Sequence, residues 1–433
     1  MKCHDASGCL ALVCLAAAAV APSWAESSDT DSARLQRVAW FAEARFGMFI
    51  HWGPFSVQGN DPQAKYDYFA MKDDAEARRD FERYAEAFRP GRFDAAQWME
   101  TARDAGARYV VFTSKHHDGY CMFDSALSDF TTMKGAPKRD YVRDLIAAAR
   151  VSGLKIGFYY SMLDWKHPDY TGDLARFVEE YLFGQVRELC TNYGPIDCFW
   201  FDGEWDHPLA AWRSPELVNM IRALQPNALI NDRLGKGERG VTPLCDFYTR
   251  EQSSEVNVPM AFEHEEPRPW EACMTIGDFW QFSLNDTRFK SVDELVGVLV
   301  DVASRGGNLL LNVGPDPDGQ IPRPLVERLR GVGAWLAVNG ESVYGTTRSP
   351  FGPLPVGKCT AKANRLYLHV DSSAGSPVQF PRLQNTIRKA FLLSSNAALP
   401  FDNGAKTVTL PKDFSQGSWR VAVIELDTPP VVH

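Results

Sequence analysis

Short apolar runs alternate with helix-like patterns between about residues 31 and 345 of the chain. The runs are rich in aromatic and β-branched residues, which favours strands. The clearest runs are Phe46–Trp52, Arg108–Ser114, Lys155–Ser161, Ile196–Phe201 and Asn308–Gly314. Between them, apolar residues recur at helical spacing, as in the face that begins with Leu174, Phe177 and Val178.

Alternation of strands and helices on this scale predicts a parallel sheet, either closed into a barrel or open with helices on both faces. The open, nucleotide-binding form needs a glycine-rich turn after its first strand, whereas the first run here leads into HWGPFS. We therefore favour a (β/α)8-like TIM barrel over residues 26–345. In such a barrel the active residues lie at the carboxyl ends of the strands.

After Tyr344 the pattern changes to short strands of alternating polarity, separated by proline, glycine, serine and asparagine. The segments concerned are RLYLHV, IRKAFLLSS, AKTVTLP and SWRVAVIEL. This alternation is typical of antiparallel sheets that bury one face. Residues 346–433 are therefore predicted to form a C-terminal antiparallel β-sandwich domain.

The first 25 residues differ from the rest of the chain. An apolar run from Cys9 to Ala21 is followed by a Ser-Trp-Ala pattern that ends at Ala25, as at a signal-peptide cleavage site. The run is too short to span a membrane stably, and no later segment is apolar enough to do so. We therefore predict a signal peptide over residues 1–25, export to the periplasm or the medium, and no membrane insertion.

Charge and cysteine content narrow the range of partners. The formal charge is −9 and no basic tract interrupts the sequence, so we expect no binding to nucleic acid or to an anionic membrane. The cysteines beyond the predicted signal peptide are dispersed, with neither C-x-x-C nor zinc-type spacing. We expect most of them to be small buried side chains. The formation of one disulfide in an export compartment is an alternative that the sequence does not decide.

Two acidic residues stand at predicted strand ends. Asp202 follows the aromatic run CFWF, and Glu251 lies near the end of CDFYTREQ. In a barrel, both would lie on the same rim. Glycoside cleavage needs such a pair: one carboxyl group donates a proton, and the other attacks or activates water. For either acid alone, a helix cap or a rim ion pair is the competing interpretation.

Histidines occupy the neighbouring strand ends. The first predicted strand ends in His51 and Trp52, and the second ends in His116, His117 and Asp118. Neutral imidazoles can bind sugar hydroxyls, and a metal site is the competing interpretation. We favour sugar binding without a metal, because adjacent histidines on a regular strand point to opposite faces and no H-x-H motif occurs. The aromatic residues that either fill the barrel or stack on a sugar are Tyr159, Trp200 and Trp280.

Taken in order, these residues lie in motifs that resemble the retaining α-L-fucosidases of glycoside hydrolase family 29. The motifs span about residues 36 to 345. They are RFGMFIHWGPFSV, FTSKHHDGYCMFDS, GFYYSMLDW, WFDGEW, NDRLG, WEACMTI and DVASRGGNLLLNVGPDPDGQIP. The resemblance implies an exo-acting enzyme that removes terminal α-L-fucose from oligosaccharides or glycoconjugates by double displacement, without a metal or organic cofactor.

The resemblance also implies a role for each matching residue. Asp202 matches the nucleophile, and Arg233 in NDRLG matches a pocket arginine near the acid/base. Glu251 is the favoured acid/base, Glu271 is the second candidate and Glu204 is the third. Glu271 ranks below Glu251 because the motif that contains Glu271 continues as a structural strand. The residues that match the sugar pocket are His51, His116, His117, Tyr159, Trp200 and Trp280, of which Trp280 faces the C6 methyl group of fucose.

One segment departs from the family pattern. Where the family often has Glu-Trp-Tyr after the first strand, this chain has Lys65, Tyr66 and Asp67, which predicts a changed contact to one sugar hydroxyl. Two other functions stay open from the sequence. One is a barrel that binds fucosylated glycans without cutting them, and the other is a metal-dependent hydrolase that uses the histidines.

Overall fold

The computed structural model of the chain describes residues 31–64, 67–253, 268–352, 354, 356–371, 377–411 and 419–432. The predicted signal peptide, and Lys65 and Tyr66 of the departing segment, lie outside the described residues. Within those ranges, no helix is both long and apolar enough to cross a membrane.

Eight parallel strands form one sheet that curls into a barrel. They are β1 Phe46–Ile50, β2 Tyr109–Lys115, β3 Lys155–Ser161, β4 Cys198–Asp202, β5 Leu229–Ile230, β6 Tyr248–Glu251, β7 Trp270–Thr275 and β8 Asn308–Val313. Neighbouring strands pair in chain order, and β8 returns to pair with β1. Between β5 and β6 the ring is completed by a single parallel bridge, Asn231 to Phe247. The predicted barrel is confirmed.

Helices connect these strands. They are α1 Asp31–Ala44, α2 Phe55–Gly59, α3 Ala75–Ala87, α4 Ala95–Asp104, α5 Tyr141–Ser152, α6 Pro168–Thr171, α7 Leu174–Arg176, α8 Phe183–Asn192, α9 Leu209–Trp212, α10 Ser214–Leu224, α11 Val292–Ser304 and α12 Arg323–Asn339. A π-helical segment, Phe177–Leu182, joins α7 to α8. Capping side chains start several helices, as Asp94 does for α4 by accepting hydrogen bonds from two backbone amides.

Strands β1, β2 and β4 are buried on both faces, which explains why they read as continuous apolar runs in the sequence. Inside the ring, Phe49, Tyr159 and Trp200 pack together. Phe41 of α1 joins this interior cluster through its contact with Tyr109. The strands therefore enclose a packed aromatic core, and the polar side chains emerge where the strands end.

A second unit of antiparallel strands follows the barrel. Its strands are β9 Lys358–Lys362, β10 Arg365–Val370, β11 Val378–Gln379, β12 Ile387–Leu392, β13 Phe401–Asp402, β14 Thr407–Val408 and β15 Arg420–Leu426. Strands β9, β10, β12 and β15 form one sheet, and β11, β13 and β14 form the other. Leu366 and Ile424 of the first sheet share one core with Val378 and Val408 of the second, so the predicted sandwich is confirmed.

Candidate active site

The carboxyl ends of the barrel strands carry the predicted site residues. Asp202 is the last residue of β4, Glu251 is the last residue of β6, and His51 directly follows β1. The chain turns immediately after Asp202 through Gly203, whose φ is 83°. A Cβ atom there would lie 2.5 Å from Cγ of Leu163, so both the backbone conformation and the available space require glycine.

Asp202 receives a hydrogen bond on each carboxylate oxygen. Arg233 Nη1 donates to Oδ1 over 2.5 Å, and the Tyr159 hydroxyl donates to Oδ2 over 2.8 Å. Burial would raise the pKa of Asp202, but the charge of Arg233 and these hydrogen bonds outweigh it and hold the pKa below its ordinary value. The carboxylate is therefore ionised at neutral pH, as a nucleophile requires.

Arg233 links the two candidate catalytic acids. Its Nη2 donates to Glu251 Oε2 over 3.0 Å, and its Nε donates to Thr249 Oγ1 over 3.1 Å. The guanidinium carbon also lies 4.4 Å from the centroid of the Trp200 ring. Because Nη1 and Nη2 belong to one planar group, the carboxyl groups of Asp202 and Glu251 lie side by side. The Glu251 side chain is 40% exposed, against 11% for Asp202.

Neighbouring polar groups fix the proton positions on two of the histidines. His51 Nδ1 lies 2.6 Å from Asn312 Oδ1, while the Asn312 amide nitrogen donates to the backbone oxygen of Trp280. His117 Nδ1 lies 2.7 Å from Ser161 Oγ, whose own proton goes to a backbone oxygen. Both imidazoles therefore carry their proton on Nδ1 and leave Nε2 as an acceptor.

His116 also carries its proton on Nδ1. Its Nδ1 lies 2.6 Å from the Tyr68 hydroxyl, which donates to Asp118 Oδ2 over 2.8 Å. Burial lowers the pKa of His51 and His117 to about 4, and lowers the pKa of His116 well below its ordinary value. All three rings are therefore neutral near pH 7, and each offers an Nε2 lone pair to a hydroxyl group.

The expectation that His116 and His117 point to opposite faces is wrong. Their ring centroids lie 4.2 Å apart, so the two rings lie together. The reason is that β2 ends at Lys115, and both histidines belong to the turn after it rather than to the regular strand. Strand alternation does not apply there.

Aromatic rings connect the histidines to the acids. The Tyr159 ring stacks on His116 at a centroid distance of 5.0 Å and on Trp200 at 5.6 Å. The Trp280 ring lies 5.1 Å from that of His51. Tyr159 and Trp200 are buried in the barrel interior, whereas Trp280 is half-buried. The structure thus brings all the predicted site residues into one contact network.

Glu271, the second candidate for the acid/base, is buried inside the barrel. The Tyr109 hydroxyl donates to its Oε2 over 2.5 Å, and Trp200 Nε1 donates to its Oε1 over 2.9 Å. Burial raises the pKa of Glu271 to about 7, although both hydrogen bonds act to lower it. Its carboxyl group is closed off from solvent, in contrast to that of Glu251, and it supports Trp200 from below.

Several residues around the site were missed by the sequence reasoning. Asn312 carried a usable signal, since it is an amide within the apolar run of β8. Tyr68 and Ser161 carried none, because only their contacts with histidines distinguish them. Arg239, from the loop after β5, also lies at the site, with its Nη2 3.9 Å from Asp202 Oδ1.

The described residues give the metal-dependent alternative no geometric support. Among them, no group of three or more histidine, cysteine, aspartate or glutamate side chains is arranged to hold a metal ion. The six cysteines in these ranges are all buried and form no disulfide.

Comparison with known proteins agrees with this geometry. The sequence profile of the family described as alpha-L-fucosidase matches residues 13–341. The chain is 35% identical over 351 residues to plasma alpha-L-fucosidase of Rattus norvegicus, covering 75% of this chain and 73% of that protein. It is 34% identical over 369 residues to an alpha-L-fucosidase of Branchiostoma floridae, covering 78% of this chain and 79% of that protein.

Solved structures show the same likeness. Alpha-L-fucosidase isoenzyme 1 of Paenibacillus thiaminolyticus superposes with a TM-score of 0.81 at 35% identity, covering 91% of this chain and 100% of that one. An alpha-L-fucosidase of Bacteroides thetaiotaomicron, trapped as a covalent intermediate with 2-fluoro-fucosyl fluoride, has a TM-score of 0.81 at 27% identity and covers 93% of this chain and 98% of that one. The chain therefore belongs to the alpha-L-fucosidase family of glycoside hydrolases.

Proposed function

We propose that this chain is an exo-acting α-L-fucosidase that releases terminal α-L-fucose from oligosaccharides or glycoconjugates with retention of configuration. The observation that carries the proposal is the pair of carboxyl groups, Asp202 and Glu251, bound to the two terminal nitrogens of Arg233. Retaining glycosidases hold their two carboxyl groups about 5 Å apart, and a shared guanidinium supports such a short spacing.

The first step forms a glycosyl-enzyme. An oxygen of Asp202 bonds to the anomeric carbon as the glycosidic bond breaks, and the departing oxygen takes a proton from Glu251. The ionised state of Asp202 and the solvent access of Glu251 suit these two roles.

The second step releases fucose. Glu251 takes a proton from water as the water oxygen bonds to the anomeric carbon, and the electron pair of the ester bond returns to Asp202.

The remaining site residues would bind the sugar. The Nε2 atoms of His51, His116 and His117 would accept hydrogen bonds from its hydroxyl groups. Trp280 would face the C6 methyl group, where an apolar surface favours a 6-deoxy sugar over one that carries a hydroxyl. Its ring packs beside His51, which supports this placement.

The proposal extends to the organisation of the chain. We assign residues 1–25 to a signal peptide that exports the protein, residues 26–345 to catalysis, and residues 346–433 to a domain that supports the barrel. The plasma alpha-L-fucosidase of Rattus norvegicus, named for an extracellular fluid, supports export. A hydrogen bond of 2.7 Å from Trp335 Nε1 on α12 to the backbone oxygen of Trp419 supports the docking role.

Hydrolysis of 4-nitrophenyl α-L-fucoside by wild type and by Asp202→Ala tests the proposal. We expect wild type to be active and the variant to be slower by a factor on the order of 10⁴ or more. Asp197→Ala is the control, because Asp197 precedes the same strand at the opposite end of the barrel. Methanol added to wild type should give methyl α-L-fucoside by proton NMR, as retention requires.

The outcome against the proposal is equally specific. A wild type that binds fucosylated oligosaccharides but cleaves neither them nor the aryl fucoside would be a glycan-binding protein. A methyl β-L-fucoside product would exclude retention, and near-normal turnover by Asp202→Ala would exclude Asp202 as the nucleophile.

A further inference from the structure

We propose that Arg239 and the buried Glu204 form a positioning pair for the nucleophile. In this pair, Glu204 holds the Arg239 guanidinium beside Asp202, and Arg239 stabilises the negative charge that returns to Asp202 when the glycosyl-enzyme is hydrolysed. The inference rests on the proposed function of Asp202 as nucleophile, and it assigns a role to a loop residue that no sequence motif indicated.

Two guanidinium groups face the same oxygen of the nucleophile. Arg239 Nη2 lies 3.9 Å from Asp202 Oδ1, the atom to which Arg233 Nη1 donates over 2.5 Å. Arg239 Nε at the same time donates to Glu204 Oε1. The Arg239 side chain is 34% exposed, whereas that of Arg233 is 1% exposed. Arg239 therefore reaches the nucleophile from the mouth of the pocket.

Glu204 carries a buried carboxyl group. Its side chain is 3% exposed, and its Oε2 is buried without a hydrogen-bond partner among the described residues. Burying a carboxylate costs free energy unless a cation compensates for the lost hydration. The ion pair with Arg239 supplies that cation. A neutral side chain of similar size would fill the space at lower cost, so the presence of a charged one points to the placement of Arg239.

The loop that carries Arg239 is fixed next to Arg233. Gly240, the residue after Arg239, donates its backbone N–H to Asp232 Oδ2 over 2.8 Å. Asp232 immediately precedes Arg233 in the chain, and its other oxygen accepts a hydrogen bond of 2.7 Å from Thr249 Oγ1 on β6. One buried carboxylate thus couples the position of both arginines to the barrel rim.

The charge balance indicates which half of the reaction Arg239 assists. Besides Arg239 and Glu204, the described titratable groups around Asp202 include Arg233, Tyr159, the neutral His51 and His117, and Cys273. Arg233 also binds Glu251, so its charge is shared between two carboxyl groups. A cation beside Asp202 stabilises the free carboxylate more than the ester. It therefore favours hydrolysis of the ester and does not favour its formation.

The two half-reactions can be measured separately on the full chain. The reagent 2-fluoro-fucosyl fluoride should label the nucleophile, and intact-mass spectrometry follows both labelling and the reactivation that occurs after excess reagent is removed. We expect Arg239→Gln to label within about twofold of the wild-type rate and to reactivate more slowly by a factor on the order of ten. Glu204→Gln should show the same split, and Arg239→Lys should recover part of the reactivation rate.

Arg323→Gln is the matched control. Arg323 is an ion-paired arginine on α12 with a side chain 89% exposed, and its replacement should change neither rate. Wild-type reactivation by Arg239→Gln would overturn the inference. So would an equal loss of both rates together with a lower unfolding midpoint, which would indicate a folding role. A wild type that is never labelled would refute the proposed function, and this inference with it.

Discussion

Arg233 Nη1 lies 2.5 Å from Asp202 Oδ1, and the arginine side chain is almost fully buried. A charge-assisted hydrogen bond in such surroundings is stronger than an exposed one. It also leaves Nη2 directed at Glu251. One rigid group thus orients both Asp202, the proposed nucleophile, and Glu251, the proposed proton donor.

Arg233→Lys should lower kcat/KM for 4-nitrophenyl α-L-fucoside by a factor of roughly 10² to 10³. An ammonium group keeps the positive charge but cannot donate to Asp202 and Glu251 with the fixed geometry of a guanidinium. Steady-state kinetics measure the loss, and circular dichroism checks that the barrel remains folded. A loss smaller than tenfold would show that charge alone is sufficient.

Glu251→Ala should slow hydrolysis of natural fucosides by a factor of roughly 10² to 10⁴, because their leaving groups need a proton. The aryl fucoside should be affected less in its first step, since nitrophenolate leaves without one. Added azide should restore turnover by attacking the glycosyl-enzyme without general-base help, and fucosyl azide should be detected as the product.

Glu271→Ala is the comparison variant for the azide rescue of Glu251→Ala. Glu271 is closed off from solvent and binds Tyr109 and Trp200, so azide should not rescue this variant. Rescue of Glu271→Ala together with no rescue of Glu251→Ala would transfer the acid/base role to Glu271.

Trp280→Ala should reduce discrimination between an α-L-fucoside and the matching α-L-galactoside, which differ by a hydroxyl group on C6. Loss of the apolar ring beside His51 should lower the ratio of the two kcat/KM values roughly tenfold. The adjacent Phe279, with a more exposed side chain, is the control, and Phe279→Ala should leave the ratio unchanged. An unchanged ratio in Trp280→Ala would place the methyl group against another surface.

Glu271→Gln should change how stability depends on pH. The folded-state pKa of Glu271 is raised from its ordinary value of 4.5 to about 7, so its stabilising contribution is present below pH 4.5 and is lost as pH rises through 7. Between pH 5 and pH 8 the free energy of unfolding of wild type should fall relative to that of the variant, by on the order of 2 kcal/mol. Urea unfolding at both pH values measures this difference, and a constant difference would contradict the raised pKa.

Local pattern predicted the barrel strands well because each strand is a buried apolar run with its own turn signals. The predicted strand Lys155–Ser161 has the same bounds in the structure. AKTVTLP, in contrast, contains only the two-residue strand Thr407–Val408. The length of a strand depends on its partners, and both neighbours of β14 are two residues long.

The sequence also placed the candidate site residues at or just after the strand ends, where the structure has them, but could not orient their side chains. It indicated that His51, His116 and His117 would meet at one rim, since parallel strands end on the same side. Their tautomers depend on Asn312, Tyr68 and Ser161, which come from three other parts of the chain. The partner of an imidazole nitrogen is a tertiary contact, and spacing in the sequence does not encode it.

The sequence by itself thus determined the architecture and which acidic residues lie at the strand ends, because periodicity and the residues after each strand are local properties. Only the tertiary structure decided what each acid can do. Closure of the barrel places Asp202 at Nη1 of Arg233 and Glu251 at Nη2. It also buries Glu271 beneath Trp200. The physical reason is that charge state and access to solvent depend on burial and on neighbouring charges, which distant segments supply only after folding.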